Sequence, residues 1–565
     1  MEKKTLGVLA LVLVAALSGT CFAMGTPPPT PTPVYTHQLL AKADIDECYN
    51  GIGQPYVPGP TCGADQKPKA NQAYLWSLAK FGDTLWFGTA ANILCLMNAG
   101  TAYMGNLDLK PFESNLWVCE YSQGQYLTQA GIEAPSNIFS DYRPPKIYTY
   151  NLNTKTLTDK SAAISDPQAL SLLNSTYGFR SGIAYNNLIF LAGPMGDYAA
   201  VNMFVFDALS GQLLGAQTLS QYNSIRRWTI MNNLLYTTVS TLNGGGRVLR
   251  WTGGAGNLFS FEEVGVLDAK GAEITPHNGR LYAGTWPSAQ GVMPGLWMSP
   301  AVPSGGLTAA DANRWTKVWQ TDQFEPDPII ANLYGMGAMI SYGGQLYWGT
   351  MHDHANVVML AVQAYGIGIA DIPSAFFNVW RATSIFRGSN FENGGKVELL
   401  YGDARLPVYV PTAAGGAWVN RANKMSGLRG KYGKSGFGNQ FNNYTWSMAI
   451  YKNQLFVGTM DNSYLWLDWT HLVTDWFNGQ NINIPALLTP DQGEFGGDLW
   501  RFPSTSAAAV NMTRDGYGNF ANYGFRTAIA DGTGLYLGTA NPANVAQDSN
   551  GNPIGGWELI QVKQE

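Results

Sequence analysis

Seven stretches of this chain follow one plan, and that repetition restricts the possible folds more than any other feature. They begin YLWSLAKFGDTLWFGTAAN at Tyr74, YGFRSGIAYNNLIFLAGP at Tyr177, NSIRRWTIMNNLLYTTVS at Asn223 and GAEITPHNGRLYAGTW at Gly271. The others are YGMGAMISYGGQLYWGTMHD at Tyr334, YTWSMAIYKNQLFVGTMDN at Tyr444 and YGFRTAIADGTGLYLGTAN at Tyr523. Each opens with small and apolar residues, passes through an Asn-Asn, Asn-Gly, Gly-Gly or Asp-Gly type of turn, and closes on a Leu-aromatic-x-Gly-Thr segment. Such turns match the right-handed twist of paired strands. A glycine inside the closing strand lets a neighbouring backbone approach closely.

A second hairpin usually follows the first, as in Met203–Phe206 with Leu213–Thr218 and Arg247–Trp251 with Leu258–Val264. Four antiparallel strands per repeat form a propeller blade, which cannot cover its own faces and must pack in a ring. The expected fold is therefore all-β: a seven-bladed β-propeller of four-stranded antiparallel blades. The last repeat is followed by only one strand, Trp557–Val562, so the segment around Val34–Lys42 is expected to complete that blade and close the ring. Short spacings between repeats, about 46 residues, suit a minimal blade. Longer ones place insertions near 91–145, 362–440 and 462–495, as functional loops or as lids and packing elements.

The Leu-Tyr-x-Gly-Thr strand after an Asn-Gly type of turn resembles secreted repeat propellers, broadly kelch-like or quinoprotein-like. The final GFRTAIADGTGLYLGTANP with Gly555-Gly556-Trp557-Glu558 is similar to the closing blade of bacterial surface propellers. The resemblance spans most of residues 70–565 and implies a fold; it transfers no catalytic residue. The kelch double glycine and the tryptophan-docking motif do not recur cleanly.

The amino terminus reads as an export signal. Lys3 and Lys4 precede the apolar run Leu6–Leu17, and small residues lead to Ala23, giving a signal peptide over 1–23. Lipidation at Cys21 is the lesser alternative, since Thr20 stands where a small Gly or Ala is usual. Residues 24–33 form a Pro/Thr-rich linker, and 34–565 a single propeller domain with its insertions. The apolar run is short for a membrane span. The remaining cysteines are even in number, as expected of disulfides in an exported chain. Three pairings exist, and proximity favours Cys48–Cys62 and Cys95–Cys119. The expected location is periplasmic, extracellular or at the outer surface.

The composition is low in charge (13%), with a net charge of −5. No broad basic face follows, so nucleic acid is not an expected partner. No GxSxG, HExxH, phosphate-loop or dinucleotide signature stands in the right context, and no cofactor is predicted. Arg180 and Arg526 hold equivalent repeat positions with Arg226 and Arg227 nearby, so a ring of guanidiniums able to hold a carboxylate is one reading, and structural pairing between blades the other. His352, Asp353 and His354 carry metal-ligand chemistry, weighed against a polar loop. Asp461 and Asn541, with Asn462 and Asn92, suit either a polar ring at one mouth or local turns. Trp466, Trp469 and Trp476 lie in an insertion, where exposed indoles bind sugars or proteins.

The sequence reading favours an exported, non-catalytic scaffold that binds a protein or glycan partner at the cell envelope. The alternative is an enzyme with its site at the axial mouth: a glycan-active hydrolase or lyase, or a metal or quinone oxidoreductase. Convergence of Arg180, Arg526, His352 and Asp353 in one pocket with a carboxylate pair or a bound metal would favour the enzyme, and scatter into inter-blade pairs the scaffold.

Overall fold

A computed structural model describes residues 33–565 apart from 106–107, 134–135, 197, 289–290, 413–414, 469–492 and 494. The signal peptide, nearly all of the linker, Cys21, Trp469 and Trp476 lie outside the described residues. The chain is all-β with short helices in its insertions. No helix among the described residues is long and apolar enough to cross a membrane.

Each sequence repeat forms the first two strands of a four-stranded antiparallel unit. The opening strands are β2 (Gln72–Phe81), β3 (Ser181–Tyr185), β4 (Tyr222–Met231), β5 (Lys270–His277), β6 (Gly335–Tyr342), β7 (Asn442–Tyr451) and β8 (Gly524–Asp531). The units opened by β3, β4 and β5 are separate four-stranded sheets, and the others are linked through single residue pairings such as Met351 with Tyr444 and Ala540 with Tyr74. β1 (Tyr35–Lys42) pairs antiparallel with β9 (Glu558–Gln564), and β9 pairs with the second strand of the β8 unit. The amino-terminal strand thus lies beside the carboxy-terminal one, as the sequence suggested.

Physical chemistry accounts for each part of the repeat. Asn186-Asn187, Asn232-Asn233 and Gly343-Gly344 have positive φ at both positions, the signature of a type I′ hairpin turn. The motif glycine lies against the opening strand of the next unit. A Cβ on Gly284 would meet Met336 Cβ at 2.9 Å, and one on Gly458 would meet Phe525 Cβ at 2.7 Å. The motif threonine restarts the third strand. Its Oγ1 accepts the backbone N–H of Lys146 on Thr89 (2.8 Å), Gly295 on Thr285 (2.8 Å), Ser384 on Thr350 (2.9 Å), Asp498 on Thr459 (3.1 Å) and Glu558 on Thr539 (2.8 Å). One hydroxyl thereby re-enters the sheet after insertions of very different length.

The helices of the described insertion segments fold as a cap. Helix α1 (Ile93–Gly105) is tethered by the Cys95–Cys119 disulfide, while α2 (His354–Tyr365) and α3 (Ile372–Asn378) come from the 362–440 region and its approach. Their apolar faces share one core with Tyr74, Trp76, Tyr444, Trp446 and Tyr523 from the opening strands. A Cys48–Cys62 disulfide closes the loop after β1. Beneath it, Lys69 and Arg143 lie buried among Glu47 and Glu120, with Lys69 Nζ 3.0 Å from Glu120 and Arg143 Nη2 2.9 Å from Glu47.

Candidate functional site

A register shift recurs in the opening strands. Pairing skips between Leu75 and Ser77, between Ile225 and Trp228, between Thr445 and Ser447, and between Phe525 and Thr527. An extra unpaired residue bends the strand and re-aims its side chain. The residues set free are Trp76, Arg226 with Arg227, Trp446 and Arg526. Arg180 directly precedes the first paired residue of β3, Ser181, and is their equivalent. In β5 and β6 the corresponding shifts fall at Ala272 and at Gly337-Ala338, which carry little or no side chain. A belt of four arginines and two tryptophans results, with an opening where the small residues stand.

Two cavities meet at this belt, and Arg180, Arg226, Arg526 and Trp76 line both. The larger, about 780 Å³, lies beneath the cap and reaches Tyr74, Tyr177, Tyr444 and Tyr523 at the strand starts. The smaller, about 580 Å³, reaches Lys80, Ile230 and Asp531 at the strand ends. Thr101 on α1 donates to Asn356 on α2 at 3.3 Å, joining the two helices over the larger chamber.

The belt carries more positive charge than its neighbours neutralise. Arg226 and Arg227 share Glu273 at 3.8 and 3.5 Å. Among the described residues, neither Arg180 nor Arg526 has a carboxylate within ion-pair distance. Arg180 Nη1 donates to Ser224 Oγ at 2.9 Å, and its guanidinium lies 5.4 Å from the Trp76 ring and 5.2 Å from that of Trp286. Arg226 stacks at 3.9 Å over Trp286, whose Nε1 donates to the Met336 carbonyl. Arg526 lies 5.7 Å from Trp446. Arg180 Nε, Arg226 Nε and Arg526 Nη2 are buried without a hydrogen-bond acceptor. Burial, and then the neighbouring arginines, pull Arg226 well below the usual range and Arg526 to about 9. Burial and then Arg180 likewise lower Lys270, at the chamber wall. Buried charges are normally paired, and among the described residues this cluster holds more guanidiniums than carboxylates.

The residues singled out from sequence are distributed as follows. Arg180 and Arg526 converge, and Arg226 completes the group. Arg227 belongs to the smaller cavity rather than the larger. His352, Asp353 and His354 do reach the larger chamber. Asp353, however, caps α2, accepting from Asn356 Nδ2 at 2.7 Å, and burial raises its carboxyl. His354 packs 4.6 Å from Phe376 and 4.2 Å from Trp380. Burial, then Arg381, takes His352 down to about 3, and burial with His352 and Arg381 takes His354 well below its ordinary value, so both rings are neutral. Among the described residues no group of three His, Cys, Asp or Glu has a metal-holding arrangement.

Asp461 and Asn541 serve local structure. Asp461 accepts from Asn439 Nδ2 at 2.6 Å and from the Ser463 N–H at 2.7 Å, while Asn541 donates to the Ile554 carbonyl at 2.7 Å. Trp466 is buried against Phe376, Trp380 and Phe441 in the cap core, so it presents no exposed indole for a sugar. Sequence reasoning missed Glu273, Lys270 and Trp286. It also missed the repeat equivalence of Trp76, Trp446 and Arg226 with Arg180 and Arg526. For Trp76 and Trp446 that equivalence was readable from the residue standing before the small Ser or Thr in YLWS, GFRS, YTWS and GFRT, whereas Arg226 has no such neighbour.

No protein-family model matches this chain, and no curated protein matches it. Solved structures of similar architecture include the Dos1 propeller, at 8% identity and TM-score 0.40, covering 87% of this chain and 93% of that one. An ancestral GH74 enzyme matches at 11% identity and TM-score 0.37, covering 92% of this chain and 51% of that one. Hydrazine synthase of Kuenenia stuttgartiensis matches at 11% identity and TM-score 0.35, with coverages of 88% and 97%. Enzymes stand among these structures, and this corrects the expectation of a non-catalytic scaffold for a protein or glycan partner. Similarity at this level transfers no reaction and no substrate.

Proposed function

We propose that the protein is an exported seven-bladed propeller, joined head to tail through β1 and β9, whose axial chamber takes up a small organic dianion. The observation that carries this reading is the pair Arg180 and Arg526. Arg526 is buried and Arg180 half-buried, both face the same chamber, and among the described residues neither has a carboxylate within ion-pair distance. Two uncompensated guanidiniums match a head group of two negative charges, held by paired N–H donors as guanidinium geometry favours. Export is supported by the two disulfides, which suit an oxidising compartment.

Titration calorimetry with succinate, phthalate, phenyl phosphate and an uncharged diamide of phthalate tests the site. The dianions are expected to bind, the diamide not to, and Arg180→Met/Arg526→Met to abolish the heat. Equal binding by the double variant would refute the reading. Ring closure is tested separately by removing residues 35–42. Loss of the β1–β9 pairing should leave an open sheet edge and a protein that unfolds early or aggregates. Unchanged stability would contradict closure.

A further inference from the structure

The walls above the belt say more about the ligand than the belt does. α1 turns Leu94, Met97 and Tyr103 toward the larger chamber. Met97 and Tyr103 are 41% and 56% exposed, although the same helix buries Ile93, Leu96, Ala99 and Ala102 completely or nearly so. Large apolar side chains left open at the mouth of a concave chamber mark a surface meant to be covered. The same chamber is lined by Trp286, whose ring already carries two guanidiniums, and by Tyr198. Tyr198 holds a positive φ of 56°, an uncommon backbone state for an aromatic residue. Tyr198 and Tyr177 are hydrogen-bonded side chain to side chain, which places the Tyr198 ring at the chamber wall.

The chamber is also too large for a bare anion. At about 30 Å³ per water molecule, its volume of about 780 Å³ has room for roughly 25 water-sized groups. Succinate or phosphate on the belt would leave most of it, and all of the α1 wall, in contact with water.

We infer that the ligand is amphipathic: a doubly charged head seated on Arg180 and Arg526, and an apolar body held between α1 and Trp286. This rests on the anion site proposed above and adds the class of molecule that fills it. The head is two carboxylates or one phosphate, since guanidinium pairs accept either; the body is what distinguishes this ligand from a simple metabolite anion.

The test compares probes of equal charge with and without a body: phthalate against succinate, and phenyl phosphate against inorganic phosphate, by calorimetry on the full mature chain. Each aryl probe is expected to bind roughly 100-fold tighter than its small partner, the effect of covering one ring's worth of apolar surface. The more strongly bound aryl probe identifies the head. Met97→Gln/Tyr103→Gln changes only exposed positions and is expected to erase most of the aryl preference while leaving succinate and phosphate affinity unchanged. Circular dichroism and melting of that variant should match the parent. Equal affinity for aryl and small probes, or an aryl preference that survives the variant, would overturn the amphipathic assignment and leave the anion site standing. Failure of every dianion to bind would overturn the anion site itself.

Discussion

Replacing Arg526 with methionine is expected to stabilise the protein in the absence of ligand while destroying its affinity for anions. Arg526 is 5% exposed, has no carboxylate partner among the described residues, and keeps Nη2 without an acceptor. Burial first, and Arg180 second, pull its pKa from the usual guanidinium range down to about 9. A cation whose folded pKa lies below its unfolded value destabilises the fold. The cost is complete below pH 9 and is relieved as pH rises from there toward the ordinary guanidinium range, because the native state gives up its proton first. Replacement of buried ions by apolar residues of similar size typically gains about 1–4 kcal/mol, and that is the expected increase. Methionine fills the guanidinium stem's volume without its charge. Urea denaturation at pH 7 in an anion-free buffer reads the change, and the same titration with saturating phthalate should stabilise the parent but not the variant. A variant less stable than the parent by about 1 kcal/mol or more, and still stabilised by phthalate, would refute the reasoning.

Three further outcomes follow from the structure. Glu47 is pushed up by burial, but Lys69 and Arg143 more than offset this and hold it at about 2. It therefore contributes stability above pH 4.5 that is lost as pH falls toward 2, about 3 kcal/mol in all, and Glu47→Gln should flatten the denaturation profile across that window. Gly458→Ala would force a Cβ to within 2.7 Å of Phe525 Cβ; a loss of about 1–3 kcal/mol is expected, read as a lower urea midpoint with an unchanged slope. Cys95→Ala/Cys119→Ala opens a loop of 24 residues and should cost about 3 kcal/mol by chain entropy, with α1 showing faster amide hydrogen exchange than the opening strands.

The repeat was legible because its parts are locally determined. Asn-Asn and Gly-Gly pairs set the hairpin, the motif glycine is required by the neighbouring unit, and the motif threonine binds the start of the third strand. Each acts through a fixed sequence offset. The pairing of β1 with β9 was also legible, since one strand was missing at the end of the chain and one was spare at its start. The belt was only half legible. Arg180 and Arg526 stood out because both follow Gly-Phe, and Trp76 and Trp446 hold the same place before Ser, but Arg226 carries no such mark and the register shift that turns it to the same place is a backbone event. Glu273 and Trp286 reach the site from β5 and its partner strand through distances that sequence spacing does not encode. The cap was hidden differently. Ile93–Gly105 has no charged residue and is interrupted by Asn98, Gly100 and Thr101, so it lacks the polar face that marks a surface helix. Trp466 read as an exposed indole because its aromatic partners Phe376, Trp380 and Phe441 lie far away in the chain.

The most direct measurement of the anion-binding account is a crystal structure of the protein grown with 4-bromophthalate, with data collected at the bromine edge. The account predicts both carboxylates within about 3 Å of the Arg180 and Arg526 guanidiniums and a bromine peak between Met97 and Trp286. A belt whose arginines are neutralised by the protein's own carboxylates, with no bromine in the chamber, would contradict it.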